Sequence, residues 1–197
     1  LIILNNLIGD SLAYTNIKKY EEIAYIINFS PRSSSKLIPG RDGPIIEAIG
    51  ENRLILLETL AAKNSNFTVG QKIYIGKEGR TDVVSVLGRL SYHQLSEMAK
   101  NSLQQVIELL VQNNESKFLN YFNELQPIGP RLHSLELIPG VGKTTMQLIL
   151  KEREKSAFKS FEDLKARVGM KEPIIQLSKR IYEEITGNTR LSIFIRK

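Results

Sequence analysis

The chain has 197 residues, 42% of them hydrophobic, and a formal net charge of +6 at pH 7. This length and composition predict ordered cores in one large or two small domains. The sequence has no cysteine, which excludes disulfides and thiolate metal ligands. It has two histidines, His93 and His133, which are too few for a metal or Ser-His site. We expect both histidines on helix surfaces. No stretch reaches the roughly 18 apolar residues of a membrane span, so we expect a cytoplasmic protein without metal, cofactor or membrane partner.

Residues 20–90 contain short β-branched runs separated by turn residues. Runs at this spacing are typical of a small β-barrel, and we predict a partly open, OB-like barrel. Residues 1–18, which precede it, are assigned no role. The five predicted strands are residues 23–29, 44–49, 53–62, 72–75 and 82–90.

The predicted barrel carries basic side chains and one tyrosine that suit a nucleic-acid strand. Cationic side chains attract phosphates, and an exposed aromatic ring stacks on bases. The candidates for barrel contacts are Arg32, Lys36, Arg41, Lys72, Tyr74, Lys77 and Arg80. Because polar loops are often basic by chance, a solvated surface is the alternative for this set.

Residues 91–126 are predicted to form a helical linker. Apolar residues recur near helical spacing over residues 93–111, and Ser91 with Gln94 predicts a capping box before them. Asn113 and Asn114 are expected to end this helix. A second helix is predicted over residues 115–125, with an apolar face used for packing.

Residues 130–187 carry the most specific pattern of the sequence, the run Pro139-Gly140-Val141-Gly142-Lys143. Both glycines can take positive φ, so we expect the surrounding amides to converge on one point and bind an anion. A short helix over residues 131–137 is expected before the run. The helix beginning near Thr144 adds its unsatisfied N–H groups and positive dipole end. Lys143, Lys151 and Arg153 supply full charges nearby. A Walker A loop is excluded, because position 137 is Leu where that motif needs glycine.

This run resembles the helix-hairpin-helix motif of nucleic-acid-binding proteins, and residues 161–170 with a helix at 174–185 resemble a second, degenerate copy. The resemblance implies an all-α tandem helix-hairpin-helix domain and thus, with the barrel and the linker, an α+β protein. It also implies contact with the sugar–phosphate backbone, little sequence specificity, and a monovalent cation held by carbonyls near Ile138, Gly140 and Val141. The second hairpin has only Gly169, so its anion site stays open, with packing alone as the alternative.

Charge is concentrated in the same region. Residues 130–197 contain 14 Lys and Arg and 8 Asp and Glu, a net charge of +6 that equals the total for the chain. A positive excess in the region of the hairpin favours a polyanionic partner.

The whole arrangement over residues 20–186 resembles a family of uncharacterised archaeal proteins described as predicted RNA-binding. That resemblance rests on the barrel segment Lys72-Ile73-Tyr74-Ile75-Gly76-Lys77, the helices before Pro127, and the hairpin. After Gly187, the apolar tail predicts a strand added to a sheet edge.

We therefore expect a non-enzymatic protein that binds RNA or DNA, with the barrel as a second surface. The alternative is a protein-interaction adaptor in a ribosomal or repair assembly. A nuclease or ligase has less support, because the adjacent acidic pairs Glu162-Asp163 and Glu183-Glu184 lie in mixed-charge helices. The choices between RNA and DNA and between single and double strands stay open.

Overall fold

The computed structural model of the protein describes residues 20–195 and divides them into two compact units. One unit consists of residues 20–113 and 181–195, and the other of residues 114–180. The predicted helical linker, residues 91–126, is divided between them. Residues 1–19 and 196–197, which include the segment assigned no role, lie outside the described residues.

The first unit contains a curled, half-barrel sheet of five antiparallel strands in the order β4-β1-β2-β3-β5. All five predicted strands form, which together with the helices confirms the α+β class. The strands are β1 (Ile23–Ser34), β2 (Asp42–Gly50), β3 (Leu56–Ala61), β4 (Lys72–Tyr74) and β5 (Val83–Arg89).

Two strand boundaries differ from the prediction by three residues or more, and the backbone explains both. β1 continues through Pro31, which has no N–H for the ladder, and the pairing with β2 is interrupted between Ser30 and Ser33. β3 begins at Leu56 rather than residue 53, because Leu54 has a φ of +56° and belongs to the preceding turn.

Each face of the sheet buries apolar side chains. One face forms a core cluster that includes Ala24, Ile26, Ile46, Ala48, Leu57, Ala61, Phe67, Ile73, Ile75 and Val83. On the other face, Tyr25 and Ile27 are fully buried, and helix α1 (Glu97–Asn113) packs against β1. The Ser102 hydroxyl on α1 donates to the Ile27 carbonyl, which fixes the helix on the strand.

The single helix predicted over residues 93–111 is wrong at its start. A 3₁₀ helix at Tyr92–Gln94 precedes α1, and Leu95 between them is extended, with φ −62° and ψ 147°. The predicted capping box is present, because the Gln94 side chain accepts from the Ser91 amide at 2.8 Å. It caps the 3₁₀ helix and not α1.

The second unit consists mainly of helices. The helix predicted over residues 174–185 forms over residues 173–186, and the division between the units falls within it. The elements are α2 (Glu115–Glu124), β6 (Pro127–Gly129), β7 (Leu132–His133), a 3₁₀ helix (Ser134–Leu137), α3 (Lys143–Lys155), α4 (Phe161–Val168) and α5 (Pro173–Thr186).

The β6-β7 hairpin corrects two predictions for residues 130–187. The segment is not all-α, and the short helix expected over residues 131–137 is reduced to one 3₁₀ turn. The carbonyl of Gln126 accepts from both the amide and the hydroxyl of Ser134, which holds the chain in a strand before the turn begins.

The strand predicted after Gly187 is also wrong, since residues 188–195 form none. The buried carboxylate of Glu184 accepts from the amides of Ile193, Phe194 and Ile195 at 2.9–3.0 Å. These amides are the donors that a sheet ladder would have used. Among residues 20–195, no helix is both long and apolar enough to cross a membrane.

Candidate nucleic-acid interface

The first hairpin is built on a tight turn over residues 138–141. The Val141 amide donates to the Ile138 carbonyl at 3.0 Å, and Gly140 has a φ of +80°. Proline second and a positive-φ glycine third are the residues of a type II turn, so the expected conformation of Gly140 is confirmed. Ile138 and Val141 are buried, which anchors the turn while Gly140 stays exposed.

Gly142 does not use the positive φ that glycine permits. Its φ is −83° and its ψ is 178°, because it is the N-cap of α3 and its carbonyl accepts from the Met146 amide at 2.8 Å. A Cβ built at Gly142 meets no atom within 4 Å. Neither backbone conformation nor packing requires glycine here.

The first turn of α3 presents backbone donors without a side-chain cap. α3 begins at Lys143, one residue before the predicted start, and its N-cap glycine has no side chain to accept from the first-turn amides. The first-turn amides of a helix have no intrahelical acceptor, and the helix dipole places partial positive charge there. Lys143 and Thr144 are both exposed at this point. The turn is therefore open to an anion from solvent.

The three predicted cations of this region have different environments. Lys143 and Lys151 make no ion pair with any described residue, and both are exposed. They lie eight residues apart, about 12 Å along the helix axis, so one phosphate cannot contact both closely. Arg153 is half-buried, and its Nη1 donates to the carbonyls of Phe122 and Leu125 at 3.2 and 2.9 Å.

The contacts of Arg153 assign it a structural task at the carboxyl end of α2. A guanidinium that donates to the last carbonyls of a helix satisfies acceptors that have no intrahelical partner. Burial lowers the pKa of Arg153 from its usual value. The geometry therefore favours a capping role over the phosphate contact expected for this residue.

His133 precedes the hairpin and is buried, which corrects its expected surface position. Its Nδ1 accepts from the Leu135 amide at 3.1 Å, and the Glu136 carboxylate accepts from the His133 amide at 3.0 Å. Burial lowers the pKa of His133, and the charge of Arg153 lowers it further. The neutral imidazole thus caps the 3₁₀ helix that leads into the hairpin.

The second hairpin repeats the turn glycine of the first hairpin but not its open helix start. Gly169, at the end of α4, has a φ of +73°. Gly140 has a similar positive φ in the first hairpin. α5 then begins with Pro173, which has no amide hydrogen, and Glu172 immediately before it adds a carboxylate. Both features disfavour an anion at this helix end.

Other polar residues near the first hairpin were not found from the sequence. The Gln176 side chain on α5 lies 3.6 Å from the position of a Cβ on Gly140, and Lys179 is exposed one turn further along. No motif marks Gln176, and only the packing of α5 against the hairpin brings it there. Among residues 20–195, no group of three or more His, Asp or Glu side chains could hold a metal ion.

The predicted barrel contacts separate into paired and cleft-lining residues. Lys36 forms an ion pair with Glu47 at 2.5 Å, and Lys72 forms one with Glu51 at 2.6 Å. Burial would raise the pKa of Glu47, but hydrogen bonds from Lys36, Ser96 and Asn28 lower it overall. Arg32 and Arg41 are exposed, and they lie before and after the loop that contains Lys36.

Tyr74, Lys77 and Arg80 line a cleft of about 830 Å³ in the first unit. The cleft lies between the segment that contains β4 and the edge strand β5, and Arg89 and Val86 of β5 line its other side. Arg89 was missed by the sequence analysis, because it ends a strand and belongs to no motif.

The fold and the site define an α+β protein that joins a half-barrel sheet to a helical unit with an exposed glycine hairpin. The chain belongs to the DUF655 family, described as a protein of unknown function, which matches residues 20–196. The uncharacterized protein MJ0038 of Methanocaldococcus jannaschii is 34% identical over 174 residues, covering 88% of this chain and 78% of that protein. The crystal structure of Af1531 from Archaeoglobus fulgidus matches with a TM-score of 0.78 and 37% identity, covering 89% of this chain and 100% of that one. These relatives confirm the resemblance to an uncharacterised archaeal family.

Proposed function

We propose that this protein binds nucleic acid, RNA or DNA, through the sugar–phosphate backbone and with little sequence specificity. The contact residues of the proposal are those of the first hairpin and the start of α3, residues 139–144, with Lys151 as a more distant cation. Arg153 is left out because the carbonyls of α2 already use its guanidinium. The proposed role is binding and not catalysis.

The observation that carries the proposal is the glycine at the N-cap of α3. Ser, Thr, Asp and Asn stabilise this position more than glycine does, and Gly142 has a conformation that any of them could adopt. Its Cβ position is open on all sides. Stability alone would therefore favour a capping side chain. Binding of a bulky phosphate close to the backbone explains why the space is kept empty.

Electrostatics support the same ligand. Phosphate oxygens accept hydrogen bonds from backbone N–H groups at helix N-termini, and the dipole adds attraction there. Lys143 adds a full charge at the first residue of the helix, and residues 130–197 hold the net positive charge of the chain. Such contacts read the backbone and not the bases, so weak sequence preference follows.

The repeated hairpin and the sheet order support the finer architecture that we infer. Two helix pairs joined by turns with Gly140 and Gly169 at positive φ fit a tandem helix-hairpin-helix domain, with the second copy used for packing. The order β4-β1-β2-β3-β5 with two outer edges fits a partly open, OB-like barrel. The barrel would supply a second surface, and two linked surfaces raise avidity.

The test compares two lysines of the same helix. We expect Lys143→Ala to weaken binding to all nucleic-acid sequences similarly and to reduce the salt slope by about one. Lys155→Ala is the matched control, because Lys155 is exposed at the other end of α3 and paired with Glu152. Fluorescence anisotropy with labelled oligonucleotides measures both. Equal affinities and slopes for the two variants would favour a protein-interaction adaptor instead.

A further inference from the structure

The cleft beside β4 combines features that the hairpin does not have. Tyr74 is 43% exposed and lines the cleft together with Arg80 and Arg89. Within residues 20–195, β4 and β5 each pair with a strand on one side only. The volume of about 830 Å³ lies in the range of pockets that hold small organic ligands.

The placement of the Tyr74 ring depends on Gly76. A Cβ added to Gly76 would lie 2.3 Å from the Tyr74 hydroxyl oxygen and 2.4 Å from Cζ. The Tyr74 ring therefore lies against the backbone of Gly76, and a side chain at position 76 would displace it. Tyr74 remains 43% exposed where it lines the cleft, so part of the ring is accessible to a planar group.

We infer that this cleft binds an unpaired segment of nucleic acid, with one base stacked on Tyr74 and the adjacent phosphates close to Arg80 and Arg89. This inference rests on the proposed function and names its substrate class as a single strand or a duplex with an unpaired segment. Bases inside a duplex are stacked on one another, so only an unpaired base can contact the ring. Stacking is sequence-tolerant because every base has a π-face.

Charge and hydrogen bonding favour a nucleotide over an apolar ligand. Lys77, Arg80 and Arg89 supply cations along the cleft. The carboxylates that also line the cleft belong to Glu21, Glu22 and Glu78. The carboxylate of Glu21 accepts from the amides of Asn52 and Arg53 at 2.9 and 2.6 Å, so a backbone turn already uses it. An exposed aromatic ring in a groove that also holds arginine side chains is the combination that single-strand-binding surfaces use.

The experiment measures anisotropy of the full chain with labelled oligonucleotides of about 16 residues, each as a single strand and as a duplex, in RNA and in DNA. Tyr74→Ala is expected to weaken single-strand binding by about 5- to 150-fold and to leave duplex binding unchanged. Tyr74→Phe keeps the ring and should bind as the parent chain does. Gly76→Ala moves the ring and should weaken single-strand binding without lowering the denaturation midpoint.

The outcomes separate this inference from the proposed function. If Tyr74→Ala binds single strands as tightly as Tyr74→Phe while Lys143→Ala weakens both forms, the cleft inference is overturned and the hairpin proposal stands. The unpaired edges of β4 and β5 would then be open to a polypeptide strand instead. If the parent chain binds none of the probes at low salt, both fail. The stacking role would also be overturned if Tyr74→Ala weakened duplex binding as much as it weakened single-strand binding.

Discussion

Replacing Gly142 by aspartate separates the stability of the hairpin from its proposed ligand. The N-cap has a φ of −83° and a ψ of 178°, which any residue adopts, and no atom lies within 4 Å of the new Cβ. An aspartate there accepts from the first-turn amides of α3 and complements the dipole. Gly142→Asp is therefore expected to raise the free energy of unfolding by a few tenths to about 1 kcal/mol.

The same substitution is expected to abolish most phosphate binding at the hairpin. The new carboxylate occupies amides that a phosphate would use, at about 1.5–3 kcal/mol for a charged hydrogen bond. Repulsion between two charges about 4 Å apart adds about 1 kcal/mol in water. The sum of about 2.5–4 kcal/mol corresponds to a loss of affinity of about 60- to 700-fold.

Two measurements on the same samples test this reasoning. Urea denaturation gives the change in stability, and anisotropy with a labelled oligonucleotide gives the change in affinity. Gly142→Asn is the matched control, since it caps the helix without a charge and isolates the repulsion. A Gly142→Asp variant that is as stable as expected and binds as tightly as the parent chain would refute a phosphate site at this helix end.

Three further predictions concern stability. Gly140→Ala forces a side chain into a φ of +80° and should cost about 1–2 kcal/mol, whereas an unchanged urea midpoint would contradict the type II turn. Arg153→Gln removes charged donors from the carboxyl end of α2 and should cost about 1.5–3 kcal/mol in the same assay, with a smaller effect on binding than Lys143→Ala. Because the folded state lowers the pKa of His133 below 6.5, the unfolded chain binds more protons there, so stability is full above about pH 6.5 and falls as the pH drops toward the folded-state pKa. His133→Asn keeps the capping acceptor and should remove that loss, and an identical pH profile in the variant would rule out this histidine as its source.

Most of the secondary structure could be predicted because the signals are local. Alternating β-branched runs and turn residues located all five strands, and Asn113 ended α1 as expected. The first residue of α5 is Pro173, where its fixed φ and missing N–H fit a first turn. These features depend on neighbours in the sequence, which a pattern can register.

The errors arose where distant residues determine the local backbone. The tail after Gly187 reads as a strand, but the carboxylate of Glu184 takes up its amides. The sequence predicts Arg153 to be a free cation on a helix, but its guanidinium donates to the carbonyls at the end of α2. Composition and periodicity carry no information on such partners.

The geometry of the candidate hairpin could be predicted only in part. Pro139 and Gly140 form the expected turn, whereas Gly142 acts as an N-cap and not as a second positive-φ residue. The sequence pattern does not distinguish these uses of glycine, since both place it next to a helix start. Gln176 approaches the turn only through tertiary packing, so no local pattern could reveal it.

The salt dependence of binding by the parent chain tests the central claim most directly. Anisotropy with single- and double-stranded DNA and RNA, each at several salt concentrations, gives the slope of log affinity against log salt. Neutralisation of about three to six phosphates predicts a steep negative slope for at least one of the four probes, with similar values for unrelated sequences. Absence of binding to all four at low salt, or binding that does not change with salt, would contradict the account.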